Sequence, residues 1–249
     1  MDAADISVNG FALGADMKLR TKHTLGLALG YAEDDVTPNG LSKVEQEGAY
    51  LATYGEHLLK TTANKDTVSL DWTLAYGSTE SKHAGMSWEQ DSLQINARVT
   101  RRHEVTKRFA VNGFAGMEYF ATESDTVNGA KSGSLQNLRG EIGVGASYVV
   151  WGVPPMTDKN SGSILGGGCE RFVVYGEATY FNDLVRNNPV VRMNGVSNGI
   201  QNPGRNGVEI RVGGTYRFNN KWSASANYGF SAMEGSTEHS LNVGASWSF

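Results

Sequence analysis

Five histidines, a single cysteine and many serines and asparagines are the side chains with which this 249-residue chain could do covalent or acid–base work. His83 and His239 stand near predicted loops in the neighbourhood of Asp125 and Glu238. An Asp–His pair backed by further acids is a set that a hydrolase can use to activate water. A lipase-like alternative needs a Ser, a His and an orienting Asn, and Ser and Asn are too abundant here for spacing to select any of them. His23 and His103 fall near short turns and His57 at the end of its strand, as scattered solvated side chains do. Cys169 has no partner for an internal disulfide and no Cys/His metal spacing around it. Gly143-Val144-Gly145 lacks the rest of a dinucleotide fingerprint, and Gly129-Ala130-Lys131-Ser132 lacks the upstream glycine of a phosphate loop. The expectation is no catalytic residue, no metal ligand and no cofactor.

A different chemistry is offered by ionisable residues that recur at alternate positions among Gly, Ser, Asn and Ala: Asp16, Lys18, Asp71, Arg98, Glu118, Arg139, Glu141, Glu177, Glu209, Arg211 and Arg217. Isolated burial of such groups costs several kcal/mol, so they need water, each other or a polar plug. They suit a wetted wall of mixed charge. Such a wall can grip a polypeptide in passage, or it can be a self-neutralising network that only holds a shape.

The elements that position these residues follow a period of two, which is the pattern of strands. Leu241, Val243, Ala245, Trp247 and Phe249 are apolar, while Asn242, Gly244, Ser246 and Ser248 between them are small or polar. Trp222 to Phe230 and Ile210 to Phe218 alternate in the same way across the tight Asn219-Asn220-Lys221 connection. The reading continues through Phe172–Tyr180, Leu138–Tyr148, Val111–Tyr119, Leu93–Val99, Val68–Tyr76, Leu25–Tyr31 and Phe11–Leu19. A stretch near Gly48 to Leu59 is strand-like, but its faces stay unassigned because Tyr50 and Tyr54 compete with Leu51 and Leu59. Eleven strands result.

Two solvents could accept them: water around a sandwich, or lipid around a membrane barrel. Small residues dominate the polar face and fit a crowded concave interior. Aromatics such as Tyr31, Trp72, Tyr76, Tyr119, Tyr148, Trp151 and Trp222 gather at strand ends, as interfacial girdles do. A one-residue slip around Ile210 would turn Arg211 and Arg217 toward lipid at roughly 2–4 kcal/mol each near the midplane, which fixes the faces. No window holds the roughly 18 consecutive apolar residues of a spanning helix. The net charge of −4, with no basic run longer than Arg101-Arg102 or Lys107-Arg108, argues against a nucleic-acid partner.

Loop lengths orient the barrel. Long connections at 232–237, 182–207, 122–134, 78–86 and 33–44 alternate with short ones at 219–221, 106–108, 61–66 and 20–23, and outer-membrane barrels keep the short turns in the periplasm. The Gly152 to Glu170 connection breaks the rule and reads as irregular. Parity raises a further expectation: bacterial single-chain barrels have even strand numbers, so a twelfth strand belongs before Val8. Residues 1–8 carry no secretory signal and are too few for a crossing, which makes the chain either cytoplasmic or part of a longer precursor.

Gly10-Phe11-Ala12-Leu13-Gly14-Ala15-Asp16-Met17-Lys18-Leu19 with Leu25-Gly26-Leu27-Ala28-Leu29-Gly30-Tyr31 resembles the second strand, turn and third strand of autotransporter (type Va secretion) translocator barrels. Asn137 to Ala146 resembles a mid-barrel strand of that family, and Gly207 to Phe249 its last three strands. The resemblance implies an all-β, antiparallel up-and-down transmembrane barrel over residues 1–249, with eleven strands visible and twelve in the intact domain. It implies a first strand, linker helix and passenger upstream, and a hydrophilic pore in the Gram-negative outer membrane for passenger secretion. The charged residues from Asp16 to Arg217 named above would line the pore. Leu241, Val243, Ala245, Trp247 and Phe249 would form the signal read by the barrel assembly machinery. Implied partners are membrane lipids, lipopolysaccharide, periplasmic chaperones and the chain's own passenger and linker helix, around a monomeric barrel. The alternative is an outer-membrane protease or phospholipase acting at the extracellular rim. A general porin is disfavoured because about twelve strands leave a narrow lumen.

Overall fold

The computed structural model describes residues 5–19, 22–37, 44–62, 66–83, 86–124, 134–152, 156–157, 164–165, 170–187, 191–193, 196–198, 205–219, 222–234 and 236–247. Its strands are β1 (Asp5–Leu19), β2 (His23–Thr37), β3 (Val44–Thr61), β4 (Asp66–His83), β5 (Met86–Glu104), β6 (Phe109–Ser124) and β7 (Leu135–Gly152). Then come β8 (Met156–Thr157), β9 (Ile164–Leu165), β10 (Arg171–Asn187), β11 (Val191–Met193), β12 (Val196–Asn198), β13 (Asn206–Arg217), β14 (Trp222–Met233) and β15 (Ser236–Trp247). Eleven of them form one antiparallel sheet in chain order, from β1 through β7 to β10, β13, β14 and β15, curled into an open half-barrel. The short pairs β8–β9 and β11–β12 are separate ribbons. One lies inside the 152–170 connection, so the stretch expected to be irregular contains a small hairpin.

The alternation read from the sequence is the alternation of the two faces. Register places Leu13 opposite Leu29, Leu29 opposite Leu51, Leu51 opposite Tyr76 and Tyr76 opposite Leu93, a continuous apolar row on the convex face. Ile142, Val144, Val212, Leu241 and Val243 on the same face are each about half or more exposed, Val243 at 79%. A water-soluble monomer rarely displays so large an apolar surface, whereas hydrocarbon is its natural solvent. The pairing also settles the faces of β3: Tyr50 lies opposite Gly77 and Tyr54 opposite Gly26 on the concave side, with Leu51 on the convex side. Leu59 falls at a register shift between Leu58 and Lys60.

Several connections expected to be long loops are strand. β4 and β5 stay paired up to His83 opposite Met86, so the 78–86 connection is a protruding hairpin. β10 likewise extends through Asp183 to Asn187 into the expected 182–207 loop. Beyond the lipid both faces meet water, so hydrophobic alternation fades while the backbone ladder continues. At the opposite end the tight turn behaves as expected: Asn219 Oδ1 accepts from the Trp222 amide at 2.9 Å, and the Phe218 amide donates to the Trp222 carbonyl. Gly152 closes β7 at φ +93°, where a Cβ would meet the Glu170 carbonyl, so glycine is needed there.

Candidate functional site: the charged concave wall

The concave wall is organised by two stacks of the same composition. In the first, Gly143 lies opposite Phe114, and a Cβ on that glycine would fall 2.2 Å from the ring. The Arg98 guanidinium sits 3.3 Å from the centre of the Phe114 ring and donates to Glu177 at 2.6 Å. In the second, Gly207 lies opposite Phe181, a Cβ there would again fall 2.2 Å from the ring, and Arg139 covers that ring at 4.2 Å. Arg139 Nε donates to Asp183 at 2.8 Å, and the Asp183 side chain is fully buried. Glycine lets the aromatic ring lie flat against the neighbouring strand. The ring's electron-rich face attracts the cation, and the carboxylate completes it with a charge-assisted hydrogen bond.

These stacks bring together some of the residues expected to face the pore. Arg98 joins Glu177 across the two intervening strands β6 and β7. Glu209 and Arg211 pair with each other on β13 at 2.6 Å. Glu118 accepts from Gln94 at 2.8 Å and stands opposite Arg139 in register. Asp71 accepts a long hydrogen bond from Thr100 and, with Asp16, borders a hollow on the same wall. Lys18 lies opposite Thr24 beside it. Glu141 stands among Arg98 and the carboxylates of Glu118, Glu209 and Glu177. Arg217 ends β13 opposite Arg171.

The wall also holds residues that the sequence reading passed over. Asp183 was hidden because it lies in the stretch expected to be a loop, next to a register shift between Asp183 and Val185. Phe114 and Phe181 were hidden because large apolar side chains were expected only on the outward face, and Tyr50 and Tyr54 were noticed but left without a face; the signal was there in the glycine directly opposite each ring. Glu56, Arg102 and Arg171 are further charged members of the wall.

Of the proposed assembly signal, Leu241, Val243 and Ala245 are exposed on the convex side of β15, and Trp247 is its last residue; Phe249 lies outside the described residues. The rim-hydrolase alternative finds no support. His239 is hydrogen-bonded to Tyr228 at 2.6 Å and stands in register with Phe230 on the convex side. The His83 side chain and Asp125 fall outside the described residues.

Beyond the lipid-facing belt, the convex side carries polar clusters. Asp66 accepts from Arg101 at 2.7 Å and lies against His103 at 2.5 Å, and the Arg101 guanidinium followed by His103 holds its carboxyl below the usual carboxylate range. At the other end of the strands Lys82 bridges Glu47 and Glu80, and its ammonium holds the Glu47 carboxyl low.

The same architecture occurs in known proteins. The chain covers 99% of its own length in matches to three solved structures. The β domain of the Bordetella autotransporter BrkA matches at 15% identity over 92% of that chain, with a TM-score of 0.72. The translocator domain of autotransporter NalP from Neisseria meningitidis matches at 15% identity over 82%, with a TM-score of 0.68. The transport unit of autotransporter AIDA-I from Escherichia coli matches at 18% identity over 84%, with a TM-score of 0.71. No curated protein sequence matches significantly. The model of the autotransporter β-domain family matches residues 1–229. With an apolar convex belt, a polar concave wall and a family match over most of its length, the chain belongs to the autotransporter β-domain family and is an outer-membrane translocator unit.

Proposed function

We propose that the charged concave wall, from Asp16 and Lys18 on β1 to Arg217 on β13, is the surface that a linker helix and passenger polypeptide touch during export. The family implies a passenger and an outer-membrane setting and is generally non-enzymatic; in this reading the unit has no catalysis of its own. The observation that carries the reading is the segregation of the faces. The Arg98–Glu177, Arg139–Asp183 and Glu209–Arg211 pairs lie on the concave side, and the apolar row from Leu13 to Leu93 lies on the convex one, whose polar clusters sit beyond the lipid-facing belt. A wetted wall of both signs offers weak, exchangeable contacts to a polypeptide without trapping it, because exposed pairs contribute only about 0–1 kcal/mol each. Residues 1–249 act as one barrel domain, working as a monomer among lipids and lipopolysaccharide. The apolar positions Leu241, Val243 and Ala245, with Trp247 and Phe249, present the strand to the assembly machinery after periplasmic chaperones deliver the chain.

The test is a reporter passenger fused to this unit, carrying the charge exchange Arg211→Glu with Glu141→Arg. Reduced protease-accessible passenger on intact cells, with unchanged barrel folding on heat-modifiable gels, is expected. Undiminished display would reject the gripping role and leave the wall as a purely structural network.

A further inference from the structure

At the end of the lumen bearing the short turns, charge is gathered with too few counter-ions. Arg171, the first residue of β10, stands directly opposite Arg217, the last residue of β13, with both side chains on the concave face. Like charges in opposed register repel. Arg102 of β5 joins them around a cavity of about 260 Å³. Among the described residues, five basic side chains line that cavity, counting Lys107 and Arg108, against the one carboxylate of Glu104. Arg108 directs its guanidinium to the carbonyls of Val149 and Val150, which are uncharged acceptors. Arg102 Nε and Arg171 Nη1 are buried and find no hydrogen-bond partner among the described residues. A buried donor left unpaired is costly, and two of them aligned with surplus positive charge call for an acceptor that brings negative charge.

The geometry points to an oxyanion-binding site at this mouth of the lumen, formed by Arg102, Arg171 and Arg217 and fitted to the carboxylates of an acidic peptide. The three cations come from three strands, which suits several carboxylates spaced along a chain better than one compact ion. The cavity also carries the apolar side chains of Ala110, Val149 and Val173, and these match the methylenes of glutamate, which inorganic phosphate lacks. The site stands on its own geometry and does not depend on the export reading: failure of the display assay would leave it intact.

The experiment measures fluorescence anisotropy of a labelled hexaglutamate peptide on the full chain in detergent at low ionic strength. Hexalysine and inorganic phosphate serve as competitors. Expected are saturable binding, displacement by unlabelled hexaglutamate but not by an equal concentration of phosphate, and at least about tenfold weaker binding for Arg171→Gln and for Arg217→Gln. Lys82→Gln, at the opposite end of the strands, should bind as the parent does. Unchanged affinity in both arginine variants, or equal competition by hexalysine, overturns the site. Displacement by equimolar phosphate overturns the peptide assignment. Should the variants misfold, the parent protein is treated with an arginine-specific dicarbonyl. Hexaglutamate must then protect Arg171 and Arg217 from modification, and absence of protection refutes the proposal.

Discussion

Glu177 and Arg98 meet across three strand spacings, about 14 Å along the sheet at roughly 4.8 Å per strand, and their 2.6 Å contact therefore reports on the curvature of the wall. Replacing the carboxylate by an amide leaves a half-buried guanidinium on the Phe114 ring without its charged acceptor. Glu177→Gln should lower stability by about 1–3 kcal/mol. A double-mutant cycle with Arg98→Gln should show coupling, measured by urea unfolding in lipid vesicles; additive effects would mean that the pair contributes nothing as a pair. Asp66 gives a pH prediction. Its carboxyl is held low in the folded state, first by Arg101 and then by His103. Its contribution is therefore complete above the unfolded carboxylate value of about 3.9 and fades as pH falls through the lower folded value. Asp66→Asn should remove that acid-range slope and leave the neutral-to-alkaline profile unaltered, as followed by thermal unfolding in detergent across pH.

Strand pairing depends on what glycine leaves free. A Cβ at Gly143 would meet both the Phe114 ring and the Ala178 carbonyl oxygen at 2.7 Å, whereas the nearest atom to a Cβ at Gly176 is 3.8 Å away. Gly143→Ala should cost about 1–3 kcal/mol through overpacking, and Gly176→Ala should be close to neutral; equal effects in urea unfolding would discredit the stacked-ring account. The existence of the strands was legible because lipid on one side and a wet interior on the other force strict alternation, as in Leu25 to Tyr31. Their ends were not legible, because near His83 and Met86 both faces meet water and only the backbone ladder persists. β3 was ambiguous for a related reason: Tyr50 and Tyr54 are aromatic yet face inward, each over a glycine of the next strand. Glu141 and Arg211 were read as charged alternate positions, but which cation meets which carboxylate follows from curvature and strand register that a linear sequence does not display. Asp183 illustrates this: it stands directly opposite Arg139 in register, in a stretch that read as loop, just before a register shift.

At the scale of the whole molecule the convex face is a single solvent boundary. Val212, half exposed on β13, lies in that boundary. Val212→Arg should destabilise the unit in lipid vesicles by about 2–4 kcal/mol near the midplane, while Ser225→Arg on the concave face should be much milder; similar penalties in vesicle unfolding would mean that the convex face does not meet hydrocarbon.

The half-barrel also has two margins, because β1 and β15 each pair on one side only among the described residues. In hydrocarbon every unanswered amide or carbonyl along such a margin costs several kcal/mol. The two rims are adhesive, and their total exceeds the net stability of a typical domain, about 5–15 kcal/mol. Permanent residence in the bilayer therefore requires that each of these backbone rows be answered by hydrogen-bonding partners before it meets the acyl chains.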